Sequence, residues 1–214
     1  LPSIGVESYA ATLGKWFGLS DTQLLDEMRK ALERSTSQKL LFVLHCYGSH
    51  FSYHQRYPRE FAHFRPEGDV AIAKQHRQTL VNAYDNSILY TDYVTAGLID
   101  ILAANTKFDT ALMYVSDHGE SLGEGGLYLH GLPYAMAPDE QTKVPMVLWM
   151  SDSIAKSERL NMGCLKAQAS SPLSHDNLFH TVLGMMNVQT SSYRSALDFT
   201  ARCRPLIGSS YSGL

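Results

Sequence analysis

Short, uninterrupted apolar runs alternate with stretches of helical period along this chain. Residues 39–45, Lys39 through His45, form a run too short for a helix and read as a strand buried on both faces. Residues 110–115 form a second such strand and 143–150 a third, with Pro145 near its start, where a missing ladder donor is easiest to tolerate. Between the first two strands, Val81, Tyr84, Ile88, Thr91, Thr95, Leu98 and Leu102 step by three and four, which predicts one long helix from about Thr79 to Ala104 with these residues on one face. The order strand, helix, strand implies a right-handed crossover with parallel pairing, hence an α/β fold.

Two further helices carry start signals. Ser20, Asp21, Thr22 and Gln23 have the form of a capping box, followed by Leu24, Leu25, Met28 and Leu32 on one face, so a helix is expected over 21–34. Ser174 is the expected cap of another, with Asp176 at the positive end of its dipole and Leu178, Phe179, Val182, Leu183 and Met186 as its apolar face. Residues 51–78 mix aromatics, prolines, arginines and histidines without a period, the mark of an irregular surface excursion. No internal repeat, low-complexity tract or domain linker interrupts residues 1–214, which we read as one domain or part of one.

Composition narrows the function. The chain has 214 residues, 44% of them hydrophobic, enough for a sizeable core. The net charge of −3 comes from 18 basic and 21 acidic residues without a block of either sign, so no nucleic-acid footprint is expected. No apolar run approaches the roughly 20 residues that cross a bilayer, and the start at Leu1 is not a signal peptide. A start without Met leads us to expect a piece of a longer protein. Cys46, Cys164 and Cys203 contain no CxxC pair. Cys164 and Cys203 flank one helical segment and are the candidate disulfide, with which an oxidising compartment would go; Cys46 ends a strand and reads as a buried thiol.

The candidate chemistry gathers where the second strand ends, at Asp117, His118 and a glycine-rich turn closed by His130. On a continuing strand Asp117 and His118 would point to opposite faces; only a turn lets both reach one ion. A carboxylate with an imidazole suits zinc, and the alternative is a solvated turn in which Asp and Gly serve the backbone. His50 ends the neighbouring strand, and carboxyl ends of adjacent parallel strands share a crevice. For His50 and His130 two roles stay open, contact with a phosphoryl oxygen or second metal, or a hydrogen-bonded loop histidine. Glu120 and Glu124 are candidates to orient His118 from behind. Neither Ser49 nor Ser121 sits in a GxSxG elbow, and the phosphate-loop and dinucleotide fingerprints are absent.

Several ordered motifs then coincide: Tyr84, Asp85 and Asn86; Thr91 and Asp92; the run 116–124; Tyr128, Leu129, His130 and Gly131; Ala137 and Pro138; Val144 and Pro145; and the run 174–180. Together they resemble, over about residues 40–204, the phosphoethanolamine transferases, the bacterial inner-membrane enzymes that modify lipid A or the lipopolysaccharide core and include the mobile colistin-resistance type. The resemblance implies an alkaline-phosphatase/sulfatase-like α/β fold with a largely parallel sheet flanked by helices. It implies that this chain is the carboxy-terminal part of a periplasmic catalytic domain joined to the membrane through an amino-terminal region. Asp117 and His118 match the family's zinc-ligand pair, and His50 and His130 the histidines that contact the phosphoethanolamine group or an additional zinc. The implied reaction passes phosphoethanolamine from phosphatidylethanolamine to a threonine and then to the acceptor.

The family's nucleophilic threonine and a zinc-binding glutamate precede the part matched here, so no catalytic nucleophile is assigned in this chain, and alone it is expected to be inactive. A cysteine pair common in the family is missing from 66–76. Two other functions compete: a metal-dependent phosphodiesterase or sulfatase-like hydrolase of the same fold, and a catalytically silent fragment that binds lipid head groups or a partner.

Overall fold

The computed structural model describes residues 4–10 and 20–204; the opening residues 1–3 lie outside it. The chain divides into two compact units, one formed by residues up to Ala104 with Leu112–Leu148, the other by Asn105–Ala111 and the residues from Trp149 on.

In the first unit, β1 (Ile4–Ala10) pairs in parallel with β2 (Lys39–His45), Ile4 opposite Lys39 and Ala10 opposite His45. The link between them contains α1 (Gln23–Arg34), which buries Leu24, Met28, Ala31 and Leu32 much as its period predicts. Its start differs from the expected capping box. The helix begins at Gln23 without a side-chain cap bond, and the Ser20 and Thr22 hydroxyls bond each other at 2.6 Å. Asp21 is drawn instead to the loop after β2, where its carboxylate accepts from the backbone N–H of Tyr47 at 3.3 Å and of Gly48 at 3.2 Å.

The long helix is α2 (Arg77–Ala104). Its inward face is Leu80, Ala83, Ser87, Tyr90, Val94, Leu98 and Leu102 rather than the row through Val81, Tyr84 and Ile88, and Ile88 is 43% exposed. Apolar side chains occupy both sides of α2, so period alone did not select the buried one. What selected it is polar. Asn86, fully buried, accepts from the Phe64 N–H at 2.8 Å and donates to the Phe64 carbonyl at 3.0 Å, while Asn82 donates to the Pro66 carbonyl at 2.8 Å. A buried amide without such partners would cost more than the bonds contribute, so these fix the helix's rotation. They also lash the irregular excursion to α2. The run Lys74–Ala104 has the length and mean hydropathy to cross a bilayer, but the buried Asn82, Asn86 and Ser87 belong to a core helix.

Strand β3 (Ala111–Val115) ladders with β6 (Met146–Met150). Among the described residues β2 ladders with β1 and β3 with β6, so the β2–β3 pairing implied by the strand–helix–strand order is not made directly. With two strands in each ladder, burial on both faces is not reached: Val43 in β2 and Val147 in β6 are exposed. After β3 come the antiparallel pair β4 (Ser121–Leu122) and β5 (Tyr128–Leu129), then the single turn α3 (Asp139–Thr142).

The second unit holds α4 (Asp152–Ser157), α5 (Met162–Gln168) and α6 (Asp176–Met185). Ser174 is not the cap expected of it: the residue before α6 is His175, which makes no side-chain cap bond, and Ser174 stands one position further out, accepting from the Asp176 N–H at 3.3 Å while Asn177 accepts from the Ser174 N–H at 2.9 Å. The buried residues of α6 are His180, Thr181 and Gly184, whereas Phe179 of the predicted apolar face is exposed. The reason is the buried carboxylate of Asp198, which accepts from the Tyr193 hydroxyl at 2.8 Å and the Thr200 hydroxyl at 2.6 Å and leaves no room for a β-carbon on Gly184. Cys164 and Cys203 form the expected disulfide, with Cα atoms 5.5 Å apart.

Candidate active site

Everything at the site hangs on loops that leave β2 and β3. The loop after β2 is held from two sides, by Asp21 on the Tyr47 and Gly48 N–H groups and by the largely buried Arg56. The Arg56 guanidinium donates to the carbonyls of His50 at 2.6 Å and Phe51 at 2.9 Å and lies 3.8 Å over the Tyr47 ring. Cys46, half-buried at the root of this loop, is a free thiol whose pKa burial, with Asp21 adding to it, pushes up to about 12, so it carries little thiolate near neutrality.

The loop after β3 turns sharply, and Gly119 is where it must. Its N–H donates to the Gln141 carbonyl at 2.9 Å, and its α-carbon is pressed so close to the Glu140 carbonyl that a β-carbon would collide with that oxygen. Gln141, buried, donates from Nε2 to the Ser121 hydroxyl at 2.9 Å, so α3 clamps the loop at two points. The turn gives Asp117 and His118 the convergence that a strand would deny them: Oδ1 of Asp117 lies 3.8 Å from Nε2 of His118, with the Asp117 side chain 84% exposed.

Three imidazoles stand in a row. His130 stacks on His118 with ring centroids 3.7 Å apart and meets His50 edge-on at 5.6 Å. In each ring Nδ1 is engaged: His50 with the Phe51 carbonyl at 2.6 Å, His118 with the Gly119 carbonyl at 2.9 Å, and His130 with the Glu120 carboxylate at 3.2 and 3.3 Å. A carbonyl oxygen only accepts, so Nδ1 of His50 and His118 carries the hydrogen, and in the neutral ring Nε2 holds the lone pair. That leaves Nε2 as the atom offered to a ligand.

Glu120, 8% exposed, is the buried acid of the site. It orients His130 rather than His118, while Glu124 turns away to accept from the Leu122 N–H at 2.6 Å and Arg77 Nη2 at 2.8 Å. Tyr53 donates its hydroxyl to Glu120; burial first, and this carboxylate second, hold the Tyr53 phenol far above its ordinary pKa. His118, Glu120 and His130 each place one donor atom within 4.8 Å of the others, the one such metal-binding group among the described residues. Tyr53, Arg56, Asp21 and Gln141 were not legible beforehand. Asp21, Tyr53 and Gln141 act on partners 20 or more positions away and Arg56 on a loop that bends back toward it, and only the three aromatics and one arginine in 51–57 hinted that the excursion was more than surface.

The donor set fits zinc. Two ligands on a tetrahedral zinc at about 2.0–2.1 Å lie roughly 3.3 Å apart, close to the separation of the Asp117 and His118 donors, and Nε2 of His118 is the lone-pair atom. The imidazoles of His50 and His130 also suit a phosphoryl group, whose oxygens accept hydrogen bonds from protonated nitrogen.

The chain carries a metal-type acid and histidines on the loops that follow its strands, and it belongs to the sulfatase family: the family model described as Sulfatase matches residues 5–188. Within that family it stands among the phosphoethanolamine transferases. Over 168 residues it is 47% identical to phosphoethanolamine transferase EptA of Escherichia coli (strain K12), an alignment covering 77% of this chain and 31% of that protein. The soluble domain of lipooligosaccharide phosphoethanolamine transferase A from Neisseria meningitidis superposes with a TM-score of 0.82 at 40% identity, covering 88% of this chain and 57% of that one. The C-terminal periplasmic domain of phosphoethanolamine transferase EptC from Campylobacter jejuni gives 0.81 at 37% identity, covering 92% and 67%. The chain thus spans about a third of the length of the EptA relative.

Proposed function

We propose that this chain supplies the carboxy-terminal part of the catalytic domain of a zinc-dependent phosphoethanolamine transferase, acting at the periplasmic face of a bacterial inner membrane. Phosphatidylethanolamine is the donor and lipid A or the lipopolysaccharide core the acceptor. The observation that carries this reading is the convergence of Asp117 Oδ1 and His118 Nε2 at 3.8 Å beside the His130 and His50 rings.

In this reading Asp117 and His118 hold the metal, His118 through Nε2. Zinc bound there would supply Lewis-acid stabilisation of charge on a phosphoryl oxygen and would favour the ionised form of a nucleophilic hydroxyl. His50 and His130 present Nε2 to the phosphoethanolamine group, each donating to a phosphoryl oxygen when protonated. Glu120 keeps the His130 ring in place, and Tyr53 keeps Glu120 in place. The nucleophilic threonine belongs to a segment that precedes the matched part.

The test is made in the intact enzyme. Replacing Asp117 and His118 together with alanine should abolish transfer to the acceptor and lower bound zinc. Transferase activity that survived the double substitution would defeat the assignment.

A further inference from the structure

The turn that follows His130 is built to face something apolar. Tyr134 and Met136 are 86% and 71% exposed, above every other exposed large apolar side chain among the described residues, and Leu132 between them and the site is exposed as well. From Leu127 to Pro138 there is no Lys, Arg, Asp or Glu. The exposure is enforced by the backbone, since the N–H groups of Met136 and Ala137 both donate to the Pro133 carbonyl, at 2.7 and 3.0 Å. Both ends are fixed to the site, one by His130 on Glu120 and the other by α3, which holds Gly119.

We propose that the turn at 132–136 is a membrane-contacting element that enters the boundary between head groups and acyl chains of a phospholipid bilayer and holds His50 and His130 at the depth of the head-group phosphate. The inference rests on the lipid substrate proposed above. A phosphorus esterified to the glycerol of a lipid stays within several ångströms of the acyl boundary, so whatever lies next to the residue that contacts it lies in that boundary too. Leu132 is two residues from His130 and Met136 six, at most about 7 to 20 Å along the chain. Tyrosine is a side chain of the membrane interface, with an apolar ring and a hydroxyl that stays wet, and methionine and leucine are apolar anchors. A charge-free segment with a tyrosine at its tip suits the interfacial zone of a bilayer, where tyrosine and tryptophan concentrate.

Co-sedimentation of the chain with phosphatidylcholine/phosphatidylglycerol vesicles, free of phosphatidylethanolamine, tests the contact itself. Tyr134→Ser with Met136→Ser should reduce partitioning roughly 10- to 100-fold, since full burial of each side chain is worth about a factor of ten, with thermal unfolding unchanged. In the intact enzyme the same pair should slow transfer from vesicle phosphatidylethanolamine and leave turnover of water-soluble glycerophosphoethanolamine at the parent rate. Vesicle binding unaffected by the substitutions, equal loss with both donors, or binding confined to vesicles containing lipopolysaccharide would each overturn the proposal. Loop-dependent vesicle binding in a protein that transfers no phosphoethanolamine would sustain it while removing the proposed function, so the two fail separately.

Discussion

Replacing Gly119 with alanine tests how the site is positioned. Gly119 does not lie in the left-handed region that favours glycine, so the backbone itself tolerates alanine; the objection is the Glu140 carbonyl, which a β-carbon would strike. To relieve the contact the loop must leave α3, giving up the Gly119 N–H bond to Gln141 and displacing Ser121 from Gln141 Nε2. Overpacking of this kind costs about 1–3 kcal/mol, and one lost hydrogen bond adds about 1 kcal/mol. At about 2–4 °C per kcal/mol for a chain of this size, the melting temperature should fall by roughly 5–15 °C. His118 precedes Gly119 directly, so a shift of about 1 Å there should cost on the order of 100-fold in kcat/KM of the intact enzyme. The assays are thermal unfolding and transfer of phosphoethanolamine from vesicles. Unchanged melting and unchanged transfer together would show that α3 does not hold the loop.

Three other outcomes are expected. Tyr53→Phe removes the hydroxyl donated to the buried Glu120; losing a hydrogen bond to a charged group costs about 1.5–3 kcal/mol, so stability should fall by about that amount, and transfer at saturating donor should slow while the conservative ring preserves the fold. A kcat equal to the parent's would remove Tyr53 from the chain of contacts behind His130. For Glu124, burial raises its pKa, but the N–H groups of Glu124 and Leu122 and the Arg77 guanidinium outweigh it and hold the carboxyl below its ordinary 4.5. A folded value below the unfolded one means the contribution is present above about pH 4.5 and is lost as pH falls through the folded value, so Glu124→Gln should lower the neutral plateau of a pH–stability curve toward the acid end and so flatten the acid limb; parallel acid limbs would refute this. Reduction of the Cys164–Cys203 bridge, which closes a 39-residue separation, should lower unfolding free energy by about 2–4 kcal/mol, and a denaturation midpoint indifferent to reductant would contradict it.

Much of this arrangement could be read in advance because it is local. The strand at 39–45 and the helix to Ala104 follow from runs and periods within one element, and the site loop was visible as a carboxylate and imidazole where an apolar run stops among glycines. What period could not give was rotation: α2 has apolar residues on both sides, and the choice between Leu80 with Ala83 and Val81 with Tyr84 was made by Asn82 and Asn86 reaching the backbone of the excursion. Glu120 was expected behind an imidazole, but which one depended on where β5 returns His130. Tyr53 and Arg56 escaped notice because their meaning lies in partners, a carboxylate 67 positions on and the carbonyls of a loop that bends back toward them. The buried Asp198 likewise drew His180, Thr181 and Gly184 inward and left Phe179 outside, while Leu178, Val182, Leu183 and Met186 stay half-buried, which no apolar pattern could announce.

The row of histidines has a consequence for timing. Because His50, His118 and His130 each engage Nδ1 with a fixed acceptor, the orientational freedom of the rings is surrendered when the chain folds, not when a ligand arrives. None can flip without breaking a bond, so the three reactive edges are in register before any encounter. Capture of a ligand there is then governed by how fast it arrives and sheds its water, with no slow search among ring orientations in between.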